Sequence, residues 1–217
     1  MNHRSWLLLL SVVFLFSLPA YTADLNGDLL KAAEDGDAVK VQSALAKGAN
    51  MNARDGAGNT PLMIAVVSKG NLAIVKALLA KGADVKARNE VSQTALYLAA
   101  RGGYVEIADL LAAKGADLNS QDVQGKTPLM VAISQGKIDS IKMLLAKGAD
   151  LKARDSEGGT AVMEAVVERN ADILKLLLAK GADANTAFND GTTALKMATD
   201  MGSTDIVKVL KEAGAKK

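Results

Sequence analysis

The chain has 217 residues, 49% of them hydrophobic and 23% charged, with a net charge of +2 and no cysteine. That composition suits a folded soluble protein. It excludes a disulfide framework, thiolate metal sites and cysteine catalysis, and so even a charge balance argues against a dedicated polyanion binder. Aromatic residues make up only 3%, so the core must be built from Leu, Ala, Val, Ile and Met.

Residues 1–23 read as an export signal. Arg4 supplies a positive start, Trp6 to Leu18 form an uncharged, mostly apolar run of 13 residues, and Pro19 precedes the small-residue stretch Ala20-Tyr21-Thr22-Ala23. A membrane-spanning helix needs about 20 apolar residues, whereas this run matches the apolar region of a secretory signal. Cleavage after Ala23 or after Thr22 both fit, and an uncleaved anchor or a buried N-terminal helix is the alternative. Removing the segment takes away His3, the single histidine, and leaves 25 basic against 24 acidic side chains.

From Asn26 onward the chain repeats itself. The stretch Leu78-Leu79-Ala80-Lys81-Gly82-Ala83-Asp84 returns with small edits, and its glycine recurs at Gly48, Gly82, Gly115, Gly148, Gly181 and Gly214, at intervals of 34, 33, 33, 33 and 33 residues. A fixed period of this length marks a repeat array. It divides the chain into six units: 26–55, 56–89, 90–122, 123–155, 156–188 and 189–217. Thr60, Thr94, Thr127, Thr160 and Thr193 each lie 12 residues after the preceding glycine. Threonine is a good N-cap and proline is tolerated just inside a helix, so Thr60-Pro61-Leu62 predicts a helix start. The first helix should stop near Gly70. A second follows, with Ile74, Val75, Leu78 and Leu79 on its apolar face. Lys81 complements its dipole and Gly82 takes the left-handed position after it.

These units resemble ankyrin repeats, whose pattern is roughly D-x-x-G-x-T-P-L-H-x-A…G…L-L-x-x-G-A-D-x-N. Asp122, Gly125, Thr127-Pro128-Leu129, Ala132, Gly136 and Leu144-Leu145-Ala146-Lys147-Gly148-Ala149-Asp150 carry the match in one unit. The resemblance implies an all-α solenoid of stacked helix-turn-helix units with β-hairpin-like finger loops, spanning residues 24–217. It implies a protein that binds another protein and has no catalytic role. The Leu-Leu-Ala-Lys-Gly-Ala-Asp idiom reads as bacterial, which makes the destination periplasmic or secreted. Exported bacterial members include some associated with protection against peroxide, and others that act as immunity or host-directed factors.

The departures from the pattern are informative. The first unit opens on Asp28-Leu29-Leu30-Lys31, its second helix carries Lys40, Gln42 and Ser43, and the last unit has Lys211 and Glu212 in place of Leu-Ala. Polar ends are what terminal repeats require, so the array is expected to be complete. The second unit has one extra residue within Val67-Ser68-Lys69-Gly70. In the fifth, Arg169-Asn170 replaces the helix-ending glycine. Asparagine tolerates the left-handed conformation, and that junction is expected to be looser. The family's histidine position holds Met63, Tyr97, Met130, Met163 and Lys196.

No catalytic, cofactor or metal constellation emerges. Once the export segment is removed, histidine and cysteine ligands are lacking. The glycines fall at repeat phase and not in a phosphate loop. Asn189-Asp190-Gly191 is a turn, without the remaining ligands of a calcium loop. Glu164 and Glu168, four apart on one helix, read as a solvated or partner-facing pair. Met63, Met130 and Met163 read as inter-repeat core, with an oxidant trap as the other reading. Arg54, Arg88 and Arg154, with Lys86 and Lys152, form a basic ridge interleaved with Asp55, Asp84, Asp150 and Asp155. It reads as a solvated face and not a nucleic-acid site.

What remains is the curved inner surface of the solenoid. Candidates for partner contact at the finger tips are Val91, Val123, Gln124, Glu157, Phe188 and Asp190. On the inner helices they are Tyr97, Arg101, Ser134, Gln135, Glu164 and Glu168, with Asp200 at the same phase. Tyr97 and Arg101 head the set, because Tyr and Arg are frequent at hot spots. Replacing both by alanine is expected to abolish capture while sparing the thermal transition. The protein is expected to be monomeric in isolation, and not membrane-inserted once the signal is cleaved.

Overall fold

The computed structural model describes residues 24–216; the export segment expected over residues 1–23, with its cleavage site, lies outside them. The described residues form twelve helices in six antiparallel pairs: α1 (Leu25–Asp35) with α2 (Ala38–Ala46), α3 (Pro61–Lys69) with α4 (Leu72–Ala80), α5 (Ala95–Gly102) with α6 (Val105–Ala113), α7 (Pro128–Ser134) with α8 (Ile138–Ala146), α9 (Ala161–Val167) with α10 (Ala171–Ala179), and α11 (Ala194–Asp200) with α12 (Thr204–Glu212).

Local chemistry sets the ends of these helices. Thr60, Thr94, Thr127 and Thr193 accept at Oγ1 from the amide three residues on, at 3.1–3.4 Å, which satisfies an orphan donor of the first turn. Thr160 instead bonds the Thr186 hydroxyl at 3.3 Å. The second helices end at Lys47, Lys81, Lys114, Lys147 and Lys180. A left-handed glycine follows each, with φ of 87–95°. The extra residue of the second unit is absorbed as one more helical position before Gly70.

Arg169, with φ of 51°, takes the left-handed position in the fifth unit. Asn170, expected there, is instead the N-cap of α10 and accepts from the Ile173 amide at 3.0 Å. The Arg169 guanidinium reaches the Met201 carbonyl of the next unit at 3.1 Å.

Odd-numbered helices stack as an inner layer and even-numbered ones as an outer layer. At every junction but the last, the inner helices approach their neighbours more closely than the outer ones do, which curves a stacked array toward its inner side. One continuous core runs from Leu29 to Leu210. Leu62, Leu96 and Leu129 are buried on the inner helices, and Ile74, Leu78, Leu111 and Leu144 on the outer ones. Each such aliphatic side chain stabilises the stack by about 1.5–3 kcal/mol relative to exposure. The polar residues of the terminal units, Lys40, Gln42, Ser43, Lys211 and Glu212, face solvent.

Between the pairs project tight turns, closed by bonds from the amides of Asp55, Asn89, Asp122, Asp155 and Phe188 to the carbonyl four residues on. An isolated bridge, Ala187 to Thr193, is the one strand-like pairing among the described residues. Neighbouring fingers are joined through backbone. Amides of Glu90, Val123, Ser156 and Asn189 donate to the carbonyls of Ala57, Val91, Gln124 and Glu157 at 2.8–3.1 Å. A β-carbon on Gly125 would stand 2.8 Å from the Ser156 amide, so this close stacking needs glycine there.

The arginine ridge is part of the same scaffold and not merely a solvated face. Arg54 donates to Gly58 O at 2.8 Å and to Arg88 O of the next unit at 2.6 Å. Arg88 repeats this with Ser92 and Gln121, and Arg154 reaches Ala187 O at 2.6 Å. Gln121 does the same work with its amide, donating to Gly125 O at 2.7 Å and Arg154 O at 2.8 Å.

Candidate protein-binding face

Finger tips and inner helices together form the concave surface. Val91 and Val123 stand out from neighbouring tips, 44% and 62% exposed. Gln124, Glu157 and Asp190 are exposed beside them, and Arg101, Gln135, Glu168 and Asp200 are exposed on the inner helices. Ser134 is half-buried and donates its hydroxyl proton to Val131 O at 3.1 Å.

Three predicted contact residues are placed differently. Tyr97 is 4% exposed. Its ring belongs to the inter-repeat core, and its hydroxyl donates to Asp122 Oδ2 at 2.8 Å. Burial first, and then this bond, push its phenol pKa well above the usual value. Tyr97 therefore cannot act as an exposed hot spot, and its removal is a core mutation. Glu164 is 9% exposed and not solvated. Both its carboxylate oxygens accept from Lys126 Nζ of the preceding unit, at 3.0 and 3.1 Å. Burial raises its pKa above the ordinary glutamate value. Lys126 pulls it back, and Glu168 and Asp155 add to the rise. Phe188 is only partly exposed and packs on the core. Its ring lies over Gly159, where a β-carbon would meet it at 2.8 Å.

The shape of the face is clearest around α9. A hollow of about 350 Å³ lies between Gln124, Glu157, Glu164, Val167 and Phe188, with Met163 beneath. A second, of about 580 Å³, shares Glu157, Val167 and Phe188, and extends to Asp190 and Met197. At the other end a hollow of about 400 Å³ is lined by Leu30, Lys31, Glu34, Ile64 and Val67.

An ankyrin repeat family profile matches residues 21–89, 69–155 and 147–217. The chain belongs to the ankyrin repeat family. Among solved structures it is similar to the crystal structure of EF0377, an ankyrin repeat protein, with 36% identity and a TM-score of 0.78 over 86% of this chain and 98% of that one. A search of curated proteins returned no match. The ankyrin repeat fold is typically a non-catalytic scaffold for protein binding.

Within this ankyrin array, reading by repeat phase missed Lys126, Val167 and Met197. Val67, Arg101, Ser134, Val167 and Asp200 share one phase, seven residues after the capping threonine, and Ile64, Leu98, Val131, Glu164 and Met197 share another, four after it. These two columns lie on one helix face. The phase of Tyr97 points into the stack, as do Met63, Met130 and Met163, all buried. That burial removes the exposed sulfur an oxidant trap would need.

Proposed function

We propose that this ankyrin repeat protein is exported and holds a partner protein against its concave face, without chemistry of its own. The observation that carries the reading is the placement of Val91, Val123 and Val167. All three are large apolar side chains left 44–62% exposed, two at neighbouring finger tips and one on inner helix α9, while Val39 and Ile138 stand exposed on separate outer helices. Apolar residues rimmed by polar ones mark contact sites. Residues 1–23 support export by their positive start, apolar run and small-residue end. Among the described residues no helix is long and apolar enough to cross a membrane.

Site-specific photo-cross-linking tests the face. A benzophenone side chain at Val123 or Arg101 gives a discrete cross-linked partner, whereas one at Lys142 on α8 does not. Equal cross-linking from Lys142 refutes the concave face. Fusing residues 1–23 to a phosphatase that folds only outside the cytoplasm tests export, and an inactive fusion refutes it.

A further inference from the structure

We propose that the two joined hollows around α9 and α11 receive a segment of the partner protein that carries lysine or arginine beside one bulky apolar side chain. This deepens the concave-face reading and rests on it.

Charge is the first argument. Asp155, Glu157, Glu164 and Asp190 line the two hollows, against one cation, Lys126. That ammonium is already engaged by both oxygens of Glu164. Exposed Glu168 stands next to Val167 in the chain. The hollow at the opposite end is also acidic, with Glu34 and Asp55 against Lys31, but its excess of acid is smaller. The negative charge is therefore greatest around the two joined hollows. It repels nucleic acid and attracts basic side chains.

The floor is the second argument. Val167 and Phe188 are common to both hollows, with Met163 and Met197 on either side. Such a floor rewards a bulky apolar side chain, which a free polyamine does not have. The third argument is Glu164. Ile64, Leu98, Val131 and Met197 hold its position in other units. The stack therefore accepts apolar residues there, and a buried carboxylate costs stability that packing does not require. Hydrogen bonds from the Thr192 amide and hydroxyl also hold Asp190 below the usual carboxylate range, so it stays charged.

The test uses the purified protein and a fluorescein-labelled peptide with a Lys-Arg-Phe-Arg-Lys centre, read by fluorescence anisotropy at moderate salt. A twin with Glu at every basic position binds at least about ten-fold more weakly. A Phe-to-Ser twin loses several-fold. Glu157→Lys combined with Asp190→Asn weakens the basic peptide by about ten-fold, and the asparagine keeps the acceptor for the Thr192 amide. The reversals Asp139→Lys and Asp205→Lys on outer helices leave it within about two-fold. Equal binding of the basic and acidic peptides overturns the proposal, and so does an equal loss from the outer-helix reversals. Displacement by spermidine with no effect of the Phe-to-Ser change shows a simple polycation site and overturns it too. If cross-linking at Val123 still yields a partner while the basic peptide fails to bind, only the partner's chemistry falls and the concave-face reading stands.

Discussion

Tyr97 on α5 and Asp122 in the following finger are joined by a 2.8 Å hydrogen bond from Oη to Oδ2. The same carboxylate accepts the Gln124 and Lys126 amides through Oδ1. One side chain thus shapes its own turn and clamps it to the preceding unit. Tyr97→Phe keeps the ring and deletes the clamp, which should cost about 1–2 kcal/mol in denaturant unfolding. Tyr97→Ala adds a cavity and should cost about 3–5 kcal/mol. Only 4% of Tyr97 is exposed, so Tyr97→Phe leaves partner affinity unchanged. A weakened complex with unchanged stability would place the phenol at the interface after all.

The ladder of finger side chains yields a second test. Arg88 donates at 3.2 Å within its own turn and at 2.6 Å to the next unit, and Gln121 makes the same pair of bonds one unit later. Arg88→Ala should lose about 1 kcal/mol, because two carbonyls at a partly solvated junction lose a donor. Arg88→Gln should recover most of that loss. Because repeat arrays unfold as coupled units, the alanine variant should also show a broader urea transition than the glutamine one. Equal loss in both variants would show that charge, and not the bond pattern, matters there.

The fold was legible in the sequence because its cause is periodic. Gly82 and its equivalents mark helix ends, Thr60 and its equivalents mark starts, and both depend on local backbone chemistry that any single unit displays. The face was legible only in part. Val91 and Val123 could be found, since a tip residue has no core to enter. Tyr97 and Glu164 were misjudged because exposure on an inner helix depends on its rotation against the next unit, which a capping threonine does not report. The informative signal was polarity by column. Arg101, Ser134 and Asp200 share the phase of Val167, so that phase faces the groove. Lys126 could not be found from spacing alone, because its partner lies 38 residues away in another unit.

A third prediction comes from a gap in another ladder. Asn52, Asn119 and Asn185 each accept, at Oδ1, the amide of Asp84, Asp150 or Lys216 in the next unit, all at 2.9 Å. Lys86 and Lys152 hold the same place in the two alternate units, with the same local turn bonds to Asp84 and Asp150 at 2.8 Å. A lysine has no acceptor to offer. Lys86→Asn and Lys152→Asn should therefore each add about 0.5–1.5 kcal/mol, a rise in Tm of roughly 2–4 °C per kcal/mol for a chain of this size. No gain in either variant would mean that solvent already satisfies those amides at no loss.

The last prediction turns on the Lys126–Glu164 pair. The carboxyl of Glu164 is raised from its ordinary value of 4.5, chiefly by burial. The folded state therefore holds this proton more tightly than the unfolded state does. The stability that Glu164 contributes is greatest when it is protonated, and it falls as pH rises from the ordinary value through the raised one. At neutral pH the charged form carries the whole penalty, offset in part by Lys126. Lys126→Leu combined with Glu164→Met installs the kind of apolar contact found at Met197, and should stabilise the protein by about 1 kcal/mol at neutral pH. The gain should shrink on acidification through the carboxylate range, because the wild-type group then gains its proton and loses its penalty. The same variant removes a carboxylate and its paired ammonium together, so the net charge of the hollow is unchanged and basic-peptide affinity should stay within about two-fold. A gain that stays constant or grows toward acid pH would reverse the sign argued here, and would mean that Lys126 more than compensates the burial of Glu164.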